Sequence, residues 1–220
     1  MEVKIGGRVP ITNPTTFDIL VEIVNIMEPK AKLLAYLRDH FVVTPRLANR
    51  MGVNRMHLQR YVAHGDIKKI ARGVYAQDDA FLLDPLLCYL PFLIRWPLAV
   101  VSGISALQYY GLTDANFRVR WVTLPQSRRV ASPNNFKIIY GQGSFYSLGI
   151  KTIKIKKAAI KVYDPEKALI QVFKYGDFET GLAALKNYLK SDRANLKKLS
   201  QYGKILRHSL DDRVRSLLAQ

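Results

Sequence analysis

The chain has 220 residues, with 34 Lys+Arg against 17 Asp+Glu, a net charge of +17 and a pI near 10.0. Hydrophobic residues make up 49%, which argues against wholesale disorder, and the single cysteine, Cys88, excludes a disulfide-stapled secreted fold and forms no Cys/His metal pattern. The positive excess points to a polyanion partner, and the length fits one or two domains.

The charge is spread along the sequence: 12 basic and 8 acidic residues in 1–80, 10 and 2 in 81–160, 12 and 7 in 161–220. Residues 30–75 hold 10 basic and 2 acidic, a local concentration. The longest apolar stretch, Phe81 to Val101, is broken by Asp84, Arg95 and three prolines, so no membrane span is expected. The N-terminus shows no signal-peptide pattern, and the expected compartment is the cytoplasm.

In chain order, Asn13-Pro14-Thr15 predicts a helix start, with Phe17, Leu20, Val21, Val24 and Met27 at helical spacing and Pro29 as its end. Ile19, Ile23 and Ile26 widen its apolar face, so this helical extension (1–29) must bury two sides against its own domain or a second subunit. A second helix is expected from Lys30 to His40, with Leu33, Leu34 and Leu37 inward. A third starts at Thr44, a capping residue, followed by Pro45 at the first helical position. Gly52-Val53-Asn54 reads as a tight turn, and a fourth helix runs from Arg55 to His64 with Met56, Leu58, Tyr61 and Val62 as its apolar set. Two short helices joined by a glycine-containing turn are the helix-turn-helix signature.

Short strand-like segments follow, Ile67 to Ile70 and Val74-Tyr75, with Ala71-Arg72-Gly73 turning between them. A basic hairpin after the second helix of the pair is the wing of a winged helix-turn-helix. The candidate DNA contacts are Thr44 and Arg46, then Asn54, Arg55, His57, Gln59 and Arg60 on the recognition helix, and Lys68, Lys69 and Arg72 on the wing. Arg prefers guanine edges and Asn or Gln adenine edges, whereas the wing cations suit phosphates, which position without specifying. Helix-turn-helix units also occur as plain packing elements, but motif, wing and local charge agree here. His57 and His64 read as surface side chains and Tyr61 as core.

Residues 81–220 predict a mixed α/β domain. A helix opens at Asp84-Pro85, and another follows Ser102. Strands are expected over 117–124, 136–140, 150–155 and 160–163, then helices from Asp164-Pro165 to Tyr175, Phe178 to Leu189, Arg193 to Ile205 and Asp211 to Leu218. The fold class is α+β: an N-terminal winged helix (30–80), then an α/β domain (81–220) with a small sheet packed by helices. Arg118, Arg120, Lys151, Lys154, Lys156 and Lys157 form a candidate basic face for nucleic acid or a partner.

Catalytic readings fare poorly. Gly141-Gln142-Gly143-Ser144 resembles the Gly-Ser element of nucleotidyltransferases but lacks the nearby carboxylate pair that metal ions need, so it reads as a turn. Asp164, Glu166 and Lys167 loosely resemble a nuclease constellation, but they fall in a first helical turn, where acids simply suit the dipole. Cys88 reads as a buried small residue in mid-helix, and His208 stands alone. No enzyme activity, metal or cofactor is expected.

Three motifs carry a family resemblance over about residues 30–215: Arg72-Gly73-Val74-Tyr75 closing the wing; Ser102-Gly103-Ile104-Ser105-Ala106-Leu107 through Tyr110-Gly111-Leu112; and Ile160 to Asp164 followed by Pro165-Glu166-Lys167-Ala168-Leu169. Together they resemble the AbiEi antitoxins of type IV (abortive infection) toxin–antitoxin systems. Where that family often has Asp two residues after the motif's leucine, this chain has Gln171. The resemblance implies a winged helix that binds inverted repeats in double-stranded promoter DNA and represses it, met by a homodimer or by two monomers side by side. It also implies a C-terminal domain that opposes a nucleotidyltransferase toxin without a stable complex. Two other readings are a stand-alone regulator with a ligand- or partner-binding C-terminal domain, and an RNA-binding protein using the basic C-terminal face.

Overall fold

The computed structural model describes residues 28–114, 119–131, 133–212 and 215. The expected N-terminal helical extension, Phe117 and Arg118, and most of the last expected helix lie outside the described residues. The chain is α+β, with two small sheets and helices on both.

Helix α1 (Pro29–His40) opens the described chain. Pro29 occupies the first turn of this helix, one residue before its expected start, where its missing N–H is not needed. Strand β1 (Val42–Val43) follows, then α2 (Pro45–Arg50) and α3 (Arg55–Ala63). The hairpin is β2 (Lys68–Ala71) and β3 (Val74–Ala76), with Gly73 at φ +70° in the turn. The first sheet is antiparallel in the order β1-β3-β2.

β1 was not expected, and it changes the packing. Leu33, Leu37, Val43, Ala48, Leu58, Tyr61 and Tyr75 form one buried cluster under the helices. Phe41, Val42, Val74 and Ala76 belong to a second, larger cluster with the rest of the chain. Alternate residues of β1 and β3 therefore point into different cores, as strand geometry requires. The small sheet is a shared layer between the two.

The second part begins with a 3-10 turn, Pro85–Tyr89, capped by the Asp84 carboxylate, which accepts from Leu86 N at 2.7 Å; it runs into α4 (Leu90–Leu93). β4 (Val100–Val101) precedes α5 (Gly103–Tyr109). Then come β5 (Arg120–Pro125), β6 (Phe136–Gly141), the single turn α6 (Ser144–Ser147), β7 (Ile150–Ile155) and β8 (Ala158–Tyr163). The last helices are α7 (Pro165–Tyr175), α8 (Phe178–Lys190) and α9 (Leu196–Ile205), the last starting three residues later than its sequence suggests.

The second sheet runs β6-β5-β4-β8-β7. β4 pairs antiparallel with β5 and parallel with β8, so the two-residue strand Val100–Val101 sits at the centre. Residues 121–124 of β5 are all buried, so the alternation expected there is absent because both faces are covered. β7 lies at an edge, and Lys151 and Lys154 are exposed on it.

Candidate nucleic-acid interface

Thr44 caps α2: its hydroxyl accepts from Leu47 N at 3.4 Å. Gly52, at φ +81°, makes the turn that side-chain-bearing residues resist. Asn54 caps α3 by accepting from His57 N at 2.9 Å. Leu58 and Tyr61 anchor α3 inward, which leaves Arg55, Met56, Gln59 and Arg60 outward. Met56 is 73% exposed, so it does not join the helix's apolar set. His57 is half-buried. The Arg60 guanidinium lies 5.9 Å from the Tyr61 ring centre. Arg46 is exposed on α2.

On the wing, Lys68 and Lys69 are exposed, and Lys68 pairs with Asp78 at 2.5 Å. Lys69 and Arg72 make no ion pair among the described residues. The two acids of residues 30–75 are both paired, Asp66 with Lys30 at 2.7 Å and Asp39 with Lys157 at 2.9 Å. Apart from Lys68, the surface cations of α2, α3 and the wing make no ion pair among the described residues.

Of the six residues expected to form a second basic face, the five described do not share one. Arg118 lies outside the described residues. Arg120 is on β5, three strands from β7, and its Nε donates to Cys88 Sγ at 3.3 Å. Cys88 is accordingly half-buried in a 3-10 turn, not buried in mid-helix. Lys156 and Lys157 are occupied with the end of α1: Lys156 Nζ donates to Arg38 O at 2.8 Å, and Lys157 N donates to Asp39 O at 3.1 Å beside its ion pair. Cations are favoured at a helix C-terminus. The hydrogen bond from Lys157 holds the Asp39 carboxyl below its usual range. Lys151 and Lys154 are exposed on β7, and Lys156 and Lys157 are exposed in the turn after it; lysines also suit an edge strand, where they discourage pairing with another chain.

The residues weighed for catalysis have structural partners. Gly141-Gln142-Gly143-Ser144 leads into α6 rather than forming a plain turn between strands. Asp164, Glu166 and Lys167 do fall at the start of α7, and all three are buried. Lys198 Nζ on α9 lies 2.9 Å from both Asp164 Oδ2 and Glu166 Oε2. Tyr188 OH donates to Glu166 Oε1 at 2.9 Å, and Tyr202 OH to Asp164 Oδ2 at 3.2 Å. Burial works against the Lys198 ammonium, but the bonds to Asp164 and Glu166 outweigh it and raise its pKa. Lys167 points elsewhere: its Nζ donates to Phe145 O at 2.7 Å, and burial pushes its pKa down to about 8. Among the described residues, no group of three or more His, Cys, Asp or Glu could hold a metal ion. No helix among them is long and apolar enough to cross a membrane.

The sequence motifs mark junctions of the second part. Ser105 Oγ accepts from Trp121 N at 2.8 Å, fixing α5 to β5. Gly103, at φ +47°, lies so close to Trp121 that a Cβ there would fall 2.3 Å from its ring. Gln171 bridges the same junction: its Oε1 accepts from Gly103 N and its Nε2 donates to Thr123 Oγ1, both at 3.0 Å. An aspartate side chain is one methylene shorter and carries no N–H to donate, so the amide suits this site.

Fold and surface define a winged helix-turn-helix unit carried on an α/β body. Residues 32–76, from α1 to the end of β3, match the family model of the AbiEi antitoxin transcriptional regulators. Curated protein sequences give no match. The crystal structure of the RV2827C protein from Mycobacterium tuberculosis is similar in fold, with a TM-score of 0.55 and 15% identity, over 80% of this chain and 71% of that one.

Proposed function

We propose that the protein is a DNA-binding antitoxin and autorepressor of the type IV, AbiEi kind. Residues 30–80 are the DNA-binding unit and 81–220 the part that opposes a nucleotidyltransferase toxin. The observation that carries the reading is the outward row of α3 beside a wing with unpaired cations, within the very segment that matches the regulator family. α3 enters the major groove with Arg55 and Gln59 toward base edges, while Arg46, Lys69 and Arg72 meet phosphates. Thr44 and Asn54 contribute by capping the two helices, with their backbone N–H groups turned to the duplex. Inverted repeats require two copies of the chain, as a homodimer or side by side. No step calls for a cofactor, a metal or a membrane, and the protein acts in the cytoplasm.

The test is binding to DNA from upstream of its own gene at several salt concentrations. Arg55→Ala or Gln59→Ala is expected to cost about 1–3 kcal/mol and to relax specificity at one base pair. Lys69→Ala and Arg72→Ala should each lower the salt slope by about one unit with specificity intact. Affinity that ignores salt, or that survives Arg55→Ala with Gln59→Ala unchanged, refutes the recognition-helix assignment.

A further inference from the structure

Where the wing meets the body lies a half-open cleft of about 730 Å³. Its floor is aromatic: Phe92 and Phe136 stack at 4.5 Å between ring centres, with Trp96 beside them. Its charged groups are all cations: Arg72 from the turn of the wing, Arg95 just after α4 and Arg120 at the start of β5. Among the described residues no Asp or Glu lines it. Arg72 and Arg95 make no ion pair among the described residues. Arg120 leans on Cys88 and lies 5.9 Å from the Phe136 ring centre. Burial pushes the Cys88 thiol up, so it stays neutral and leaves the guanidinium charge uncompensated.

The volume is in the usual range for small-molecule sites, about 300–1,000 Å³. Aromatic walls favour a flat ring. Guanidinium groups favour phosphate or carboxylate, which they can grip with two parallel hydrogen bonds. Three cations around an apolar floor repel one another until an anion joins them.

We propose that this cleft binds a small planar anion, an aromatic ring bearing phosphate or carboxylate, with the ring on Phe92, Trp96 and Phe136 and the charge on Arg72, Arg95 and Arg120. Because Arg72 belongs to the wing, an occupied cleft draws that cation away from DNA and weakens promoter binding. This second step rests on the DNA-binding reading above; the first does not.

The test reads tryptophan emission of the full chain without DNA. Trp96 lines the cleft, whereas Trp121, the other tryptophan, is buried beneath Lys137. AMP, GMP, UMP, salicylate and inorganic phosphate are titrated separately. A saturable change is expected with a ring-bearing anion and not with inorganic phosphate. It should vanish in Trp96→Phe and weaken about tenfold or more in Arg95→Ala, whose melting temperature is unchanged. Saturation by mononucleotides alone assigns a phosphate ligand, and saturation by salicylate alone a carboxylate; either supports the site. No saturable change with any ring-bearing probe, or equal affinity in Arg95→Ala, overturns it and leaves the promoter assay untouched. With a saturating probe, promoter affinity should fall in the parent and not in Arg72→Ala; an unchanged parent overturns the regulatory step alone.

Discussion

Lys198→Met removes the cation that joins α9 to the start of α7. Its ammonium sits 2.9 Å from each of two carboxylates, Asp164 at 2% exposure and Glu166 at 3%. Methionine keeps most of the side-chain length and none of the charge. What remains is two buried carboxylates facing one site, with the hydroxyls of Tyr188 and Tyr202 as their side-chain donors. Removing one partner of a buried ion pair costs about 3–5 kcal/mol. The Lys198 side chain is 28% exposed, so water can reach the vacated place and the lower end applies. About 3 kcal/mol lowers the melting temperature of a chain this size by about 6–12 °C. Urea unfolding followed by circular dichroism reads the loss, with the melting temperature as a cross-check. Adding Glu166→Gln removes one of the two stranded charges while its amide oxygen still accepts from Tyr188. The double variant should therefore recover a large part of the loss. A loss under about 1 kcal/mol in the single variant, or a double variant whose losses simply add, refutes the claim that this cluster pins α9.

Lys167 gives a pH signature. Its folded pKa of about 8 lies below the unfolded value of about 10.4, so the unfolded chain binds more protons between them. The burial penalty is full below about pH 8 and is relieved as pH rises, so the parent should gain stability relative to Lys167→Met from about pH 8 to about pH 10; a constant difference contradicts this. Burial pushes Tyr89 up to about 12, and its opposite effect falls above that window. Gln171→Leu leaves Gly103 N and Thr123 Oγ1 without their present partner, at about 1–3 kcal/mol for each group left unpaired, measurable by the same unfolding. Gly103→Ala and Gly111→Ala both meet positive φ, but only the first strikes a ring; its loss should exceed the other by about 1–3 kcal/mol, and equal losses would remove the steric role given to Trp121.

The winged helix was the legible part of the sequence because its signals are local. Thr44-Pro45, Gly52 and Asn54 announce caps and a turn within a few residues of one another, and all act as such. β1 and β4 were not legible: each is a two-residue Val-Val pair, too short for any periodicity, and each exists because distant strands pair with it. Met56 was misread because helical spacing alone cannot say which side of a short helix is covered. The buried cluster around the first-turn acids of α7 was not legible for a related reason. Asp164 and Glu166 do sit where a dipole favours them, but Lys198 arrives from a helix more than thirty residues on, and nothing local announces it.

The shared sheet also decides how the charge of +17 is divided. Lys156 and Lys157 look, in sequence, like part of a nucleic-acid face. In three dimensions they bind the end of α1 from the body side, on the same flank where Phe41 and Val42 enter the body's core. These contacts help hold the winged helix against the body, while both lysine side chains stay exposed. Val74 and Ala76 of the wing enter that same core, while Tyr75 between them enters the other. The wing strand cannot tilt toward or away from a duplex without moving residues in both cores, and close-packed interiors resist such shifts. The helix-turn-helix is thus presented at an angle set by the body rather than swung on a linker. For the proposed regulator, inverted repeats would then be read by two rigid units, and the spacing of its half-sites should reflect the body as much as the recognition helix.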